Sequence, residues 1–183
     1  MNNVFEKLSN PVIFVFVAAI LRLIPHLPNF APITAMALFG GAYLGRRFAL
    51  TLPLLAMVLS DIFIGFDSIV SRVAVYGSFL LIGLIGLWLR KHRSFQNIVL
   101  ATLVSSVLFF VITNFGVWAF GFMYPKTFEG LVACFTAAIP FFRNTMVGDM
   151  FYSAVFFGGY LLVRKFSENR NLALIVNGGK RND

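Results

Sequence analysis

The chain has 183 residues, of which 59% are hydrophobic and only 12% charged, with a mean hydropathy of +0.86. Globular domains carry about 25% charged residues, so this composition excludes an ordinary water-soluble domain. The net charge of +8 does not point to nucleic acid, because the basic residues flank apolar runs and serve membrane orientation instead.

Lys7 precedes the first apolar run, which imitates a signal peptide, and Ala35-Met36-Ala37 resembles a cleavage site. Further apolar runs follow directly, so the first is read as an uncleaved helix. It is predicted from about Pro11 to Ile24, ending in the Pro25-His26-Leu27-Pro28-Asn29 corner, which cannot continue a helix. The second is predicted from about Pro32 to Gly45, before Arg46 and Arg47, and the third from about Phe48 to Gly65 with Pro53 inside it. The fourth covers Arg72 to Leu89, before Arg90, Lys91 and Arg93. The fifth covers Asn97 to about Phe120 and the sixth Asn144 to Val163. The first two are shorter than the roughly 20 apolar residues that cross hydrocarbon alone.

A long outer connection, Gly121 to Phe142, separates the fifth and sixth. Within it, Glu129 to Phe141 is apolar but short, which suits a buried or re-entrant helix. The expected fold is therefore an all-α integral membrane protein, a bundle of six transmembrane helices over residues 1–166. A polar cytoplasmic tail over 167–183 follows, with an apolar patch at 172–176. Lys7, Arg46, Arg47, Arg90, Lys91, Arg93, Arg164, Lys165, Arg170, Lys180 and Arg181 would lie inside, against Arg22, Arg72, Lys126 and Arg143 outside. That bias places both termini in the cytoplasm, for a chain in a bacterial inner membrane.

Polar groups inside spans are costly, so their positions are informative. From the helical rise, Arg22 lies about 5 Å, Asp61 about 6 Å, and Asn114 and Asp149 about 9 Å below the outer ends of their helices. This common depth predicts a pocket opening outward. Helical spacing adds Trp118 to Asn114, Tyr76 to Arg72 and Tyr152 to Asp149. The outer loops add His26, Asn29, Asp67, Tyr124, Lys126, Glu129, Arg143 and Asn144. Aromatic walls with a few directed polar groups suit a small-molecule site. Competing structural accounts stand beside each: a belt role for Trp118 and Tyr124, snorkelling for Arg22, an anchor for Arg143, and an ion pair of Asp61 or Asp149 with Arg22 or Arg72. Ala37, Gly41 and Gly45 form a small-xxx-small stripe, read either as packing inside the bundle or as docking to a partner subunit.

No phosphate-binding loop, HExxH motif or nucleophile elbow is present, so no cofactor, metal or catalytic residue is expected. Cys134 is alone, which excludes an internal disulfide.

The Asn29-Phe30-Ala31-Pro32-Ile33 entry, the small-residue run Ala35–Gly45, and Asp61 after Pro53-Leu54-Leu55-Ala56-Met57 resemble the S components of energy-coupling factor transporters. Tyr76-Gly77, the Thr113–Trp118 segment, Tyr124-Pro125 and the Pro140–Asn144 segment are similar to a related group of small bacterial membrane proteins. The resemblance covers roughly residues 11 to 163. It implies binding of a vitamin or trace nutrient under outer loops, with a transmembrane coupling subunit and two ATPases as partners. It places Asn29, Asp61, Asn114, Trp118, Tyr124, Arg143, Asn144 and Asp149 on ligand-facing or lid segments. One departure is the first helix, Val15 to Arg22, which lacks the Ala-x-x-x-Ala docking stripe common in S components. The rival expectations are an enzyme acting on a lipid or prenyl substrate through Asp61 and Asp149, and a non-transport assembly subunit.

Overall fold

Prolines and hydroxyl-bearing caps set the ends of the helices in the computed structural model, which describes residues 10–24, 27–46, 48–65 and 68–179, without the side chains of 64 and 170–179. The expectations for Lys7, Pro25, His26, Arg47, Asp67, Lys180 and Arg181 lie outside the described residues. Helix α1 is Pro11–Leu23, with Pro11 in the first turn and the Asn10 side chain accepting from the Val12 N–H at 3.0 Å. Helix α2 is Ile33–Tyr43 and α3 is Thr51–Ile64. Pro53 falls in the first turn of α3, where its missing N–H leaves no bond broken. Helix α4 is Ile69–Leu89, starting earlier than expected because Ser68 caps the Ser71 N–H. Ser94 does the same for α5, Phe95–Phe120.

The largest correction concerns the connection after α5. Thr127 caps the Gly130 N–H, and α6 runs from Phe128 to Ser153 without a break. It continues through a π-helical turn, Ala154–Gly158, into α7, Gly159–Gly179. The long outer loop is therefore reduced to residues 121–127, and the Glu129–Phe141 segment is the first half of the last rod. Arg143 and Asn144 sit in the middle of that rod rather than at its start. The section expected as a polar tail is helical to Gly179.

Six helical rods and no strands make up the described residues. Three are long and apolar enough to cross a membrane: Ile69–Leu89, Phe95–Phe120 and Phe128–Asn169. The other three have 13, 11 and 14 residues, or about 16–21 Å of rise against a hydrocarbon core of about 30 Å.

Helix α2 is the hub, touching α1, α3, α4, α5, α6 and the π turn. Every residue from Thr34 to Ala42 is buried, as a helix apolar on all sides must be. Its closest neighbour is α4, and glycines make that approach possible. A Cβ on Gly41 would lie 2.6 Å from the Gly83 carbonyl oxygen, and one on Gly86 would lie 2.6 Å from that of Leu38. The Ala37-Gly41 part of the small-residue stripe is thus enclosed in the bundle, with only Gly45 exposed. It does not form an outer docking face. Below it, Phe14, Phe39, Tyr43, Phe157 and Tyr160 stack on one another, with the Arg93 guanidinium 4.6 Å from the centre of the Tyr43 ring.

Candidate functional site

The polar residues of the apolar helices sort into three groups. In the first, Arg22 at the end of α1 reaches across to α3. Its guanidinium pairs with Asp61 at 2.5 Å and donates to the Met57 carbonyl at 3.1 Å and the Ser60 hydroxyl at 2.5 Å. The Tyr76 hydroxyl of α4 donates to the other Asp61 oxygen. Asp61 is therefore fully engaged, its two oxygens holding groups from two other helices. This is the ion-pair alternative, and neither Asp61 nor Tyr76 lines the cavity where Asn29 and Asn114 meet.

The second group lies where α5 meets α6. Asp149 is 2% exposed and accepts from the Ser106 hydroxyl at 2.7 Å. The Thr34 hydroxyl of α2 donates to it as well. One turn further along both helices, Thr102 donates to the Ser153 hydroxyl at 3.1 Å. Ser105, beside Ser106, has the one buried side-chain oxygen without a hydrogen-bond partner among the described residues. Ser106 stands about 21 Å of rise from the Phe120 end of α5 and about 16 Å from its Phe95 end. Asp149 is consequently level with the middle of α5, not in the outer third. The expected depth was counted from Arg143, which does not begin the helix.

The third group is a cavity of about 110 Å³ at the Pro125 end, lined by Asn29, Phe109, Phe110, Thr113, Asn114, Ala138, Phe141, Phe142 and Thr145. It exists because α5 and α6 run out of step. The Asn114 carbonyl meets Cys134, and Ser106 meets Asp149. The interval is about 12 Å of rise on α5 but about 22 Å on α6. Pro140 falls within this longer stretch of α6, whose Phe135 and Phe142 rings bridge to Phe110 of α5 beside the cavity.

Of the residues expected to meet a ligand, the structure brings Asn29 and Asn114 together here. Asn29 adopts a left-handed backbone, φ 62°, which asparagine tolerates better than most residues. Asn144 ties the rim by donating to the Pro28 carbonyl at 3.1 Å. Phe30 lies on Gly148, with a glycine Cβ position 3.1 Å from its Cα, and stacks on Phe151 and Tyr152. Trp118 and Tyr124 are not in the cavity wall. The Trp118 indole donates to the Pro125 carbonyl at 3.0 Å, and the Lys126 ammonium caps the Trp118 and Gly121 carbonyls at the end of α5. Tyr124 is half-buried in that turn, and Arg143 is exposed.

The sequence reading missed Thr113 and Thr145. Thr145 stands one turn before Asp149, which was chosen, and Thr113 directly precedes Asn114 in the chain. Both hydroxyls donate to their own helix, to the Phe109 carbonyl at 2.7 Å and the Phe141 carbonyl at 3.1 Å. Asn114 does likewise with its amide, to the Phe110 carbonyl at 2.8 Å. The two hydroxyls are left with oxygen lone pairs, while the Asn114 amide keeps its carbonyl oxygen and one N–H. No group of three or more metal-ligating side chains occurs among the described residues. Asp61 and Asp149 share no hydrogen-bond partner among the described residues.

Comparison with curated proteins and with solved structures finds no match. A protein-family model described as "Family of unknown function (DUF6580)" matches residues 2–171, nearly the whole chain, and the chain belongs to that family.

Proposed function

We propose that this is a membrane transport protein that takes up a small, uncharged, hydrogen-bonding solute through the cavity at the Pro125 end of the α5–α6 seam. The observation that carries the reading is the wall of that cavity. Asn29, Thr113, Asn114 and Thr145 set hydroxyl acceptors and amide groups, which both donate and accept, among phenylalanine faces with no charged group among the lining residues. An uncharged solute bearing hydroxyl, amide or amine N–H groups satisfies such a wall. At about 110 Å³ the cavity is smaller than an engineered cavity of about 150 Å³ that admits benzene. A vitamin-sized ligand therefore requires α6 to move away from α5 around Pro140.

Energy coupling in the manner of an S component belongs to the same proposal. Docking to a coupling subunit would need a surface other than Ala37-Gly41, because α4 covers that stripe. The membrane-enzyme alternative has less support, since Asp61 and Asp149 sit in separate polar groups.

Native mass spectrometry of the full chain, released from mild detergent, tests the reading. The expected result is a co-purified small molecule that disappears in Asn114→Ala and Thr145→Val variants. Cells expressing the wild type should accumulate that molecule faster than cells expressing either variant. Equal retention and equal uptake across all three would overturn the assignment of the cavity.

A further inference from the structure

We propose that Asp149 is a proton-carrying site, loaded from the cavity at the Pro125 end and unloaded toward a second cleft at the Arg93 end. Three observations meet on this residue. The first is position. One turn before Asp149, Thr145 lines the outer cavity; one turn after it, Ser153 lines a separate cleft of about 320 Å³. Helix α5 repeats the pattern, with Thr113 in the cavity wall, Ser106 on Asp149 and Thr102 in the cleft wall. The carboxylate is thus the septum between two hollows that approach it from opposite ends of the seam, the second with Arg93 among its lining residues.

The second observation is the company Asp149 keeps. Its partners are the hydroxyls of Ser106 and Thr34, and no cation is paired with it among the described residues. Helix α2 carries no charged residue, and its titratable Tyr43 is at the far end. Helix α5 carries none either. On α6 the charged Glu129 and Arg143 are exposed. Arg22 is committed to Asp61, together with Tyr76, and Arg72 acts on Tyr76. The π turn contributes no titratable group. A lone carboxylate at this depth has a ready neutral form, the acid.

The third observation is that the hydroxyl network accepts both forms. Ser106 Oγ has two acceptors in reach, Asp149 Oδ2 at 2.7 Å and the Thr102 carbonyl at 3.1 Å, but one proton. Against the carboxylate, Ser106 donates to Asp149. Against the acid, Asp149 donates its O–H to Ser106 Oγ, and Ser106 donates to the Thr102 carbonyl. Loading forms one O–H bond with a proton from hydronium at the outer cavity, which is left as water, and yields a neutral acid. Unloading returns H⁺ to water at the cleft, with no change in oxidation state. The adjoining π turn, Ala154–Gly158, is a place where α6 already departs from α-helical bonding and can shift register. Use of this proton in solute uptake rests on the transport reading above; the titration of Asp149 does not.

Infrared difference spectroscopy of the full chain in liposomes, with pH stepped between about 5 and 9, tests the site directly, since that window brackets what a transporter would use. A protonated-carboxyl band that forms on acidification and is missing in Asp149→Asn is the expected result. In Ser106→Ala, which removes both the donor to the carboxylate and the acceptor of the acid O–H, the charge-assisted bond is the larger loss, so the band's midpoint should move up in pH. A band that ignores pH, or one unchanged in both variants, overturns the proposal. Loss of the band on adding sodium chloride at fixed pH would also overturn it, in favour of a sodium site. Solute uptake that is indifferent to an imposed pH gradient, beside a normal titration, would count against coupling while leaving the proton site intact.

Discussion

Arg22 and Asp61 show what one ion pair does for three helices. Each group alone is expensive in an apolar bundle, at roughly 2.5–3.5 kcal/mol on insertion scales. Together they neutralise each other, with Ser60, the Met57 carbonyl and Tyr76 completing their hydrogen bonds. Removing one partner leaves the other buried without compensation, which costs about 3–5 kcal/mol in comparable sites. Asp61→Asn and Arg22→Met are therefore expected to lower the unfolding temperature in detergent substantially. The double replacement Arg22→Met with Asp61→Leu should recover most of the loss, because a well-packed apolar pair can replace a buried ion pair. Single variants as stable as the wild type would show that the pair contributes nothing. The same logic separates Asp61 from Asp149. The first is held by a fixed positive charge, the second only by hydroxyls that can reverse their bonds.

At the scale of elements, the bundle depends on how closely α2 approaches α4. Gly41 and Gly86 face each other across the contact, where backbone rather than flexible side chain would meet an added methyl. Gly41→Val is expected to destabilise by more than the about 1–3 kcal/mol usual for overpacking, because the main chain of α4 cannot step aside. Gly45→Val, with nothing within 4 Å of its Cβ position, should be close to neutral. Folded yield after size-exclusion chromatography, read for both variants side by side, checks the contrast; equal yields would mean the helices are farther apart than they are here. The stripe itself was legible from its spacing, and the sequence left open whether it packs inside or docks a partner. Nothing in the spacing identifies the covering surface, since Gly83 and Gly86 are some forty residues away in the chain. Helix starts were legible to within a few residues where a Pro or a hydroxyl cap precedes an apolar run. Helix α6 was not, because Pro140 and the Arg143-Asn144 pair read as a boundary. A long rod packed on α5 tolerates an interior proline, since the surrounding bundle fixes its path. That misreading also displaced Asp149 and hid the cavity, which depends on the mismatch between α5 and α6 and not on any local motif.

The whole molecule is defined by its two ends. At one lie the 121–127 turn, the Asn29 corner and the cavity; at the other lie Arg90, Lys91, Arg93, Arg164 and Lys165. The long α4, α5 and last rod supply the membrane-crossing length, and the short α1 and α3 complete the bundle by packing on the short, buried α2 and on each other. Their outer faces are apolar, with Ile20, Ile62 and Phe63 all well exposed, as a lipid-facing surface requires. Retention of Lys and Arg on the cytoplasmic side would put the Arg93 end in the cytoplasm and the cavity outside. Exposed positions at each end make this testable with thiols, because the native Cys134 is only 2% exposed. Met123→Cys, at a residue 77% exposed in the turn, should react in intact cells with a membrane-impermeant maleimide. Lys91→Cys should react only after the membrane is permeabilised. The reverse pattern would turn the molecule over, make the cavity an exit rather than an entrance, and reverse the direction in which Asp149 would pass its proton.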